Sequence, residues 1–188
     1  MLCYFFPRVD NDFSFDDAAI SKFGCMVHSF DPSMKIESNK RGDKAFFYHL
    51  GLADSDRTLA NGWPMAKFES IRASLKHSKT NIAIVKLDIE EYEWEVLPDL
   101  LTSDQLKTVN QLLVEVHQCE GCSVYNPQQT DKEPSREHYI HMLEIMAELY
   151  RQKFRIFHHH ANQACRYLSK FSMIERTACY ELGFVRVS

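Results

Sequence analysis

A chain of 188 residues fits one domain with a sizeable core, and 45% hydrophobic against 26% charged residues is an ordinary globular balance. The formal net charge of -4, with no stripe of Lys or Arg, excludes the electrostatic footprint of a nucleic-acid binder and makes polyanions poor substrates. No apolar run approaches the roughly 20 residues that a membrane-crossing helix needs.

Residues 2–6 open the chain as a short apolar run. Over 16–23, Ala18, Ala19, Ile20 and Phe23 fall at helical spacing, and Gly24 suits the left-handed position that ends a helix. Residues 25–30 read as a strand ending in Asp31-Pro32, 35–44 as a polar loop, and 45–50 as another strand. A loop with Gly51, Asp54, Asp56 and Gly62 follows, and the pattern predicts a helix over 65–75. Residues 81–87 are almost continuously apolar, which fits a strand covered on both faces. A helix over 91–101 carries acids in its first turn, where the helix dipole favours them, and 111–116 reads as a second doubly covered strand. Residues 118–134 are polar and aperiodic. Ser135 caps a helix over 135–152 whose Tyr139, Met142, Leu143, Met146 and Leu149 share one face. Residues 154–157 and 178–187 close the chain as strands, with 169–176 unassigned between them.

This alternation of strands and helices predicts an α/β fold with βαβ units, a mainly parallel sheet and helices on both faces. In such sheets ligands bind outside the carboxyl ends of the strands, near the point where strand order reverses. Three acids occupy that edge: Asp31 after the second strand, Asp88 after the fourth, and Glu115 near the end of the fifth. A carboxylate at the end of the second strand can accept two hydrogen bonds from a ribose diol, although a solvated strand end explains it as well. The sequence contains neither G-x-x-x-x-G-K-[ST] nor G-x-G-x-x-G, which points away from ATP, GTP and ordinary NAD and towards a ligand without phosphates.

The segments VHSFDPSM (27–34), IVKLDIEEYEWEVL (84–97) and QLLVEVH (111–117), with NDFSFD (11–16) and CYELGFVR (179–186), resemble the methyltransferase-like family related to FkbM-type methyltransferases. The matches run in order over nearly the whole chain. The resemblance implies a Rossmann-like class I methyltransferase fold with an antiparallel last strand, over a single domain of residues 1–188. It implies S-adenosyl-L-methionine as cofactor and a hydroxyl on a small molecule as methyl acceptor. Carried over by motif, Asp31 and Pro32 would hold the cofactor ribose, and Asn11, Asp12 and Phe13 would lie beside its methionine end. Leu52 and Asp54 would lie near the adenine, and Asp88 close to the transferred methyl. The sequence departs from the family after the first strand: Pro7-Arg8-Val9-Asp10 stands where the family has a glycine-containing turn, and Glu91 stands where it has Gly. A non-catalytic binding or scaffold module with a degenerate cofactor loop, lacking part of the N-terminal cofactor region, is therefore the alternative to an enzyme.

Glu115 and His117, two residues apart, share one face of their strand. If the fourth and fifth strands are parallel neighbours, Asp88, Glu115 and His117 converge as the catalytic group, with His117 as general base assisted by Glu115. The same three side chains suit a divalent cation as Lewis acid, but no metal is assigned. H-x-C-x-x-C at His117, Cys119 and Cys122 lacks a fourth ligand for a closed zinc site. The run His158-His159-His160 alternates faces on a strand and reads as a solvated end. Six cysteines in a chain this long imply no disulfide framework, so the default compartment is reducing and intracellular, with an upstream anchor outside this chain as the other reading.

Overall fold

The computed structural model of the protein describes residues 1–6, 12–35, 38–90, 92–118 and 133–187. Its elements in chain order are β1 (Leu2–Phe6), α1 (Ser14–Phe23), β2 (Met26–Phe30), β3 (Asn39–Lys40), β4 (Ala45–Tyr48), β5 (Gly51–Leu52), β6 (Arg57–Thr58) and β7 (Pro64–Ala66). They continue as α2 (Phe68–Ser74), β8 (Ile82–Leu87), α3 (Glu93–Thr102), β9 (Val109–His117), α4 (Arg136–Arg151), β10 (Phe154–Ala161), β11 (Arg166–Leu168), β12 (Glu175–Thr177) and β13 (Cys179–Arg186).

An eight-stranded sheet in the order β10-β13-β9-β8-β1-β2-β4-β3 forms the centre. The chain winds outward from β1 through β2 to β4, then crosses back to build β8 and β9 on the other side of β1. Strand order therefore reverses between β1 and β8, and the carboxyl ends of these two strands flank the switch point. Every residue of β1 is buried, as befits the middle strand. Its alternation assigns the two faces: Leu2, Tyr4 and Phe6 join the core formed with α2, α3 and α4, whereas Cys3 and Phe5 pack against α1. Each of these large side chains contributes about 1.5–3 kcal/mol of hydrophobic stabilisation.

Local chemistry fixes the helix ends. Gly24 takes φ 67° after α1 and its N–H returns to the carbonyls of Ala19 and Ile20. The Ser135 side chain accepts a hydrogen bond from the His138 N–H at 3.2 Å and so starts α4.

Four expectations change. The sheet is mixed and not mainly parallel: β1, β2, β4, β8 and β9 run parallel, but β13 is antiparallel to both β9 and β10, and β3 to β4. The helix expected over 65–75 begins at Phe68, because Met65 and Ala66 pair with Gly51 and Leu52 in a small three-stranded sheet. Strands β8 and β9 are buried on one face only; Ala83, Lys86, Gln111, Leu113 and Glu115 are half-exposed on the other, which α1 alone covers among the described helices. Finally, Cys3–Cys25 and Cys165–Cys179 form disulfides, against the expectation of a reduced set. Parallel pairing of β1 with β2 sets Cys3 opposite Val27, so Cys25, just before β2, arrives within a Cα separation of 6.0 Å.

Candidate functional site

The carboxyl ends of β1, β2 and β8 enclose a hollow of about 540 Å³ at the switch point, within the size range of small-molecule sites. Phe6 and Phe30 stack at 4.6 Å between ring centroids and form its apolar base. Asp31 lines it and is nearly inaccessible; one carboxylate oxygen accepts from the Ser33 N–H at 2.7 Å and the Ser33 hydroxyl at 2.6 Å. This Asx-type turn holds the acid at the rim after β2. Gly51 also lines it; a Cβ there would fall within 3 Å of the end of the Met65 side chain and of the Pro32 ring, so a larger residue would need those side chains to shift.

A second hollow, of about 660 Å³, is polar and adjoins the first, with Glu90 and Tyr92 lining both. His117, at the end of β9, lines the second, and Asp88, at the end of β8, lines the first. Strands β8 and β9 are parallel neighbours, so their ends come together. Ligating atoms of Asp88, Glu90 and His117 lie within 4.8 Å of one another, a set with the chemistry to hold a divalent cation. Glu115, His117 and Cys179 are equally close, but Cys179 is committed to its disulfide. Glu90 takes φ 53°, a left-handed conformation that costs a non-glycine residue on the order of 1 kcal/mol, at the turn between β8 and α3.

Electrostatics single out His117. Its Nδ1 lies 3.3 Å from both carboxylate oxygens of Glu93, which is fully buried in the first turn of α3, and its Nε2 lies 3.8 Å from Glu90. Burial works against the imidazolium, but the hydrogen bond and charge of Glu93, with Glu115 and Glu90, outweigh it and hold His117 up to about 9. Glu93 also accepts from the Ile89 N–H at 3.0 Å, so its carboxylate is fixed from two sides. Burial raises the Asp88 carboxyl above the usual carboxylate range; Glu115 and Glu90 add to this, while Lys86 and His117 oppose it.

The other sequence-derived positions divide. Pro32 and Leu52 line the first hollow beside Asp31. Asp54 sits outside its lining and pairs with Arg57, which lines the second hollow. Asp12 accepts from the Ser14 N–H at the start of α1, and Phe13 lies under the Arg41 guanidinium, 3.5 Å from the ring centroid, against Met34 and Phe47. Glu115 accepts from Asn162 at 3.1 Å; the carboxylate hydrogen-bonded to His117 belongs instead to Glu93. Asn11, the turn with Arg8 and Asp10, Glu91, and Cys119 and Cys122 lie outside the described residues. Sequence reasoning missed Glu90, Tyr92 and Glu93. The signal was present in the acids after Asp88, which alone identified a helix start.

A mixed α/β sheet with ligand-sized hollows at its switch point, acids from two strands at the rim and no phosphate loop is the architecture of a domain that is compatible with methyl transfer. The family model described as Methyltransferase domain matches residues 2–186, and the chain belongs to that family. It is 28% identical over 176 residues to a human protein named probable methyltransferase-like protein 24, covering 90% of this chain and 46% of the human one. The rat protein of that name gives the same identity and coverage. The chain thus spans about half the length of the curated relatives it matches. Among the described residues no helix is long and apolar enough to cross a membrane.

Proposed function

We propose that this domain is an S-adenosylmethionine-dependent methyltransferase acting on a hydroxyl of a small acceptor. One observation carries the reading: the Asp31 hollow and the His117 hollow share a wall at Glu90 and Tyr92, so two ligands can meet beside Asp88 and His117. The first hollow suits the cofactor, with stacked phenylalanines for an apolar base and Asp31 for a ribose diol. When bound, S-adenosylmethionine supplies an electrophilic methyl group on a sulfonium and is left as the neutral thioether.

The protein's part is positioning and proton transfer. Asp88 and Glu90 present negative charge to the sulfonium side of the junction. Glu93 holds the Nδ1–H of His117, which leaves Nε2 to take the acceptor's hydroxyl proton while the oxygen forms its bond to the methyl carbon. With His117 held up to about 9, the imidazolium dominates at neutral pH, and the sulfonium's positive charge favours its loss of a proton. Titration calorimetry with S-adenosylmethionine and S-adenosylhomocysteine tests the cofactor assignment. Micromolar binding supports it, and absence of heat at millimolar ligand refutes it in favour of a non-catalytic module.

A further inference from the structure

A third hollow, of about 620 Å³, lies between α4 and the sheet where β9, β13 and β10 meet. Val116, Met142 and Phe184 are buried at its floor, and Met146 and Leu182 stand half-buried in its walls. Leu143, Tyr150 and Ile156 at its edge are exposed, and an apolar surface of this extent marks a ligand or partner site. Several of its polar groups are engaged elsewhere. Tyr139 bonds to the Tyr167 hydroxyl at 2.9 Å, and the Arg155 guanidinium donates to the carbonyls of Tyr150 and Phe154. A ligand entering it meets mainly carbon.

The hollow adjoins the candidate site: Trp94 and Gln118 line both it and the His117 hollow. Trp94 is pinned between them by a 2.6 Å hydrogen bond from its indole N–H to the His117 carbonyl. The three hollows thus lie side by side, each sharing lining residues with the next, from the Asp31 side, past His117, to the apolar one.

We infer that the acceptor is amphipathic, with its hydroxyl at His117 and an aliphatic or aromatic tail lying between α4 and β13. This rests on the methyl-transfer reading for the identity of the hydroxyl site, while the tail site stands on the third hollow itself. The polar hollow alone suits a sugar-like acceptor; the carbon-lined space beside it selects one with a tail.

The experiment is calorimetric titration of the protein with 1-butanol, 1-hexanol and 1-octanol, with and without saturating S-adenosylhomocysteine. Burial of the tail predicts affinity rising about fourfold per methylene, or roughly two orders of magnitude over the series. Met146→Trp, which fills the hollow, and Leu143→Glu, on its exposed rim and so without cost to folding, should both flatten that rise. A flat series in the wild-type protein, or a rise unchanged in both variants, overturns the inference. So does a wild-type dimer that Leu143→Glu converts to monomer in sedimentation without any effect of chain length, because the face would then seat a second copy. Failure of S-adenosylhomocysteine to bind while the rise persists sinks the methyl-transfer reading and leaves the apolar ligand site.

Discussion

Replacing Glu93 by Gln tests the electrostatic centre of the site without asking for turnover. Glu93 is fully buried, and its carboxylate is the principal partner that holds the His117 imidazolium. Lifting a histidine from 6.5 to about 9 corresponds to about 3 kcal/mol of stabilisation of its charged form. Because the folded-state value is raised, this contribution is fully present below pH 6.5 and is lost as pH rises through 9. The wild-type protein should therefore lose about 6–12 °C of melting temperature between pH 6.5 and 9.5, at the sensitivity expected for a domain of this size. His28 does not confuse the window: burial, helped by His77, lowers it to about 4, so its contribution is lost only as pH falls below 6.5. Glu93→Gln keeps the shape and an acceptor for the Ile89 N–H while removing the charge. Melting curves of the two proteins should differ most near pH 6 and converge by pH 10, and the His117 ring resonance should titrate well below 9 in the variant. Equal destabilisation at every pH would show that Glu93 serves packing alone and would refute the argument.

Asp31→Asn retains the oxygen that accepts from Ser33 but weakens a charge-assisted bond to a diol, so cofactor affinity should fall by about 1.5–3 kcal/mol, one to two orders of magnitude in calorimetry; unchanged affinity would remove Asp31 from the site. Buried Arg72 donates to the carbonyls of His77, Thr80 and Gln105, and Arg72→Met leaves these acceptors without a donor at a cost of about 3 kcal/mol or more. Arg72→Lys should recover only part of this in denaturant midpoints, since an ammonium lacks the planar fork. The Cys3–Cys25 bridge closes a 22-residue separation, and the denatured-state entropy it removes amounts to about 3 kcal/mol. Cys3→Ala, which removes this bridge and leaves Cys165–Cys179 in place, should therefore lower the melting temperature by about 6–12 °C, and an identical melt would deny the bridge. Binding of S-adenosylmethionine at pH 8 should release a proton from His117, seen as a dependence of binding heat on buffer ionisation enthalpy, whereas the neutral S-adenosylhomocysteine should not; His117→Gln abolishes the difference.

Much of the frame was legible because burial leaves a periodic trace. Residues 82–87 and 109–117 announce strands through their apolar residues, and Gly24 and Ser135 mark helix ends by chemistry that few other residues supply. The small sheet of Gly51–Leu52, Arg57–Thr58 and Pro64–Ala66 left no such trace, since strands of two or three residues are too short to show a period. Met65 therefore read as the start of a helix. Of the strands that make the sheet mixed, the antiparallel β13 is the last strand that the resemblance implied, whereas β3, antiparallel to β4, has two residues and left no trace either.

The site was legible as an edge but not as a pairing. A carboxyl-terminal rim follows from the parallel centre of the sheet, so Asp31, Asp88 and His117 could be placed there from strand boundaries alone. Which acid holds His117 depends on where α3 docks. Glu115 shares the strand face of His117 but stands two residues back along β9, where Asn162 occupies it. Glu93 reaches the imidazole because the turn after β8 folds the first turn of α3 over the end of β9, with Trp94 bonded to the His117 carbonyl as the clasp. That geometry makes the next residue pair decisive: loosening the clasp by Trp94→Phe should lower the His117 titration towards the ordinary range even though no charge is removed.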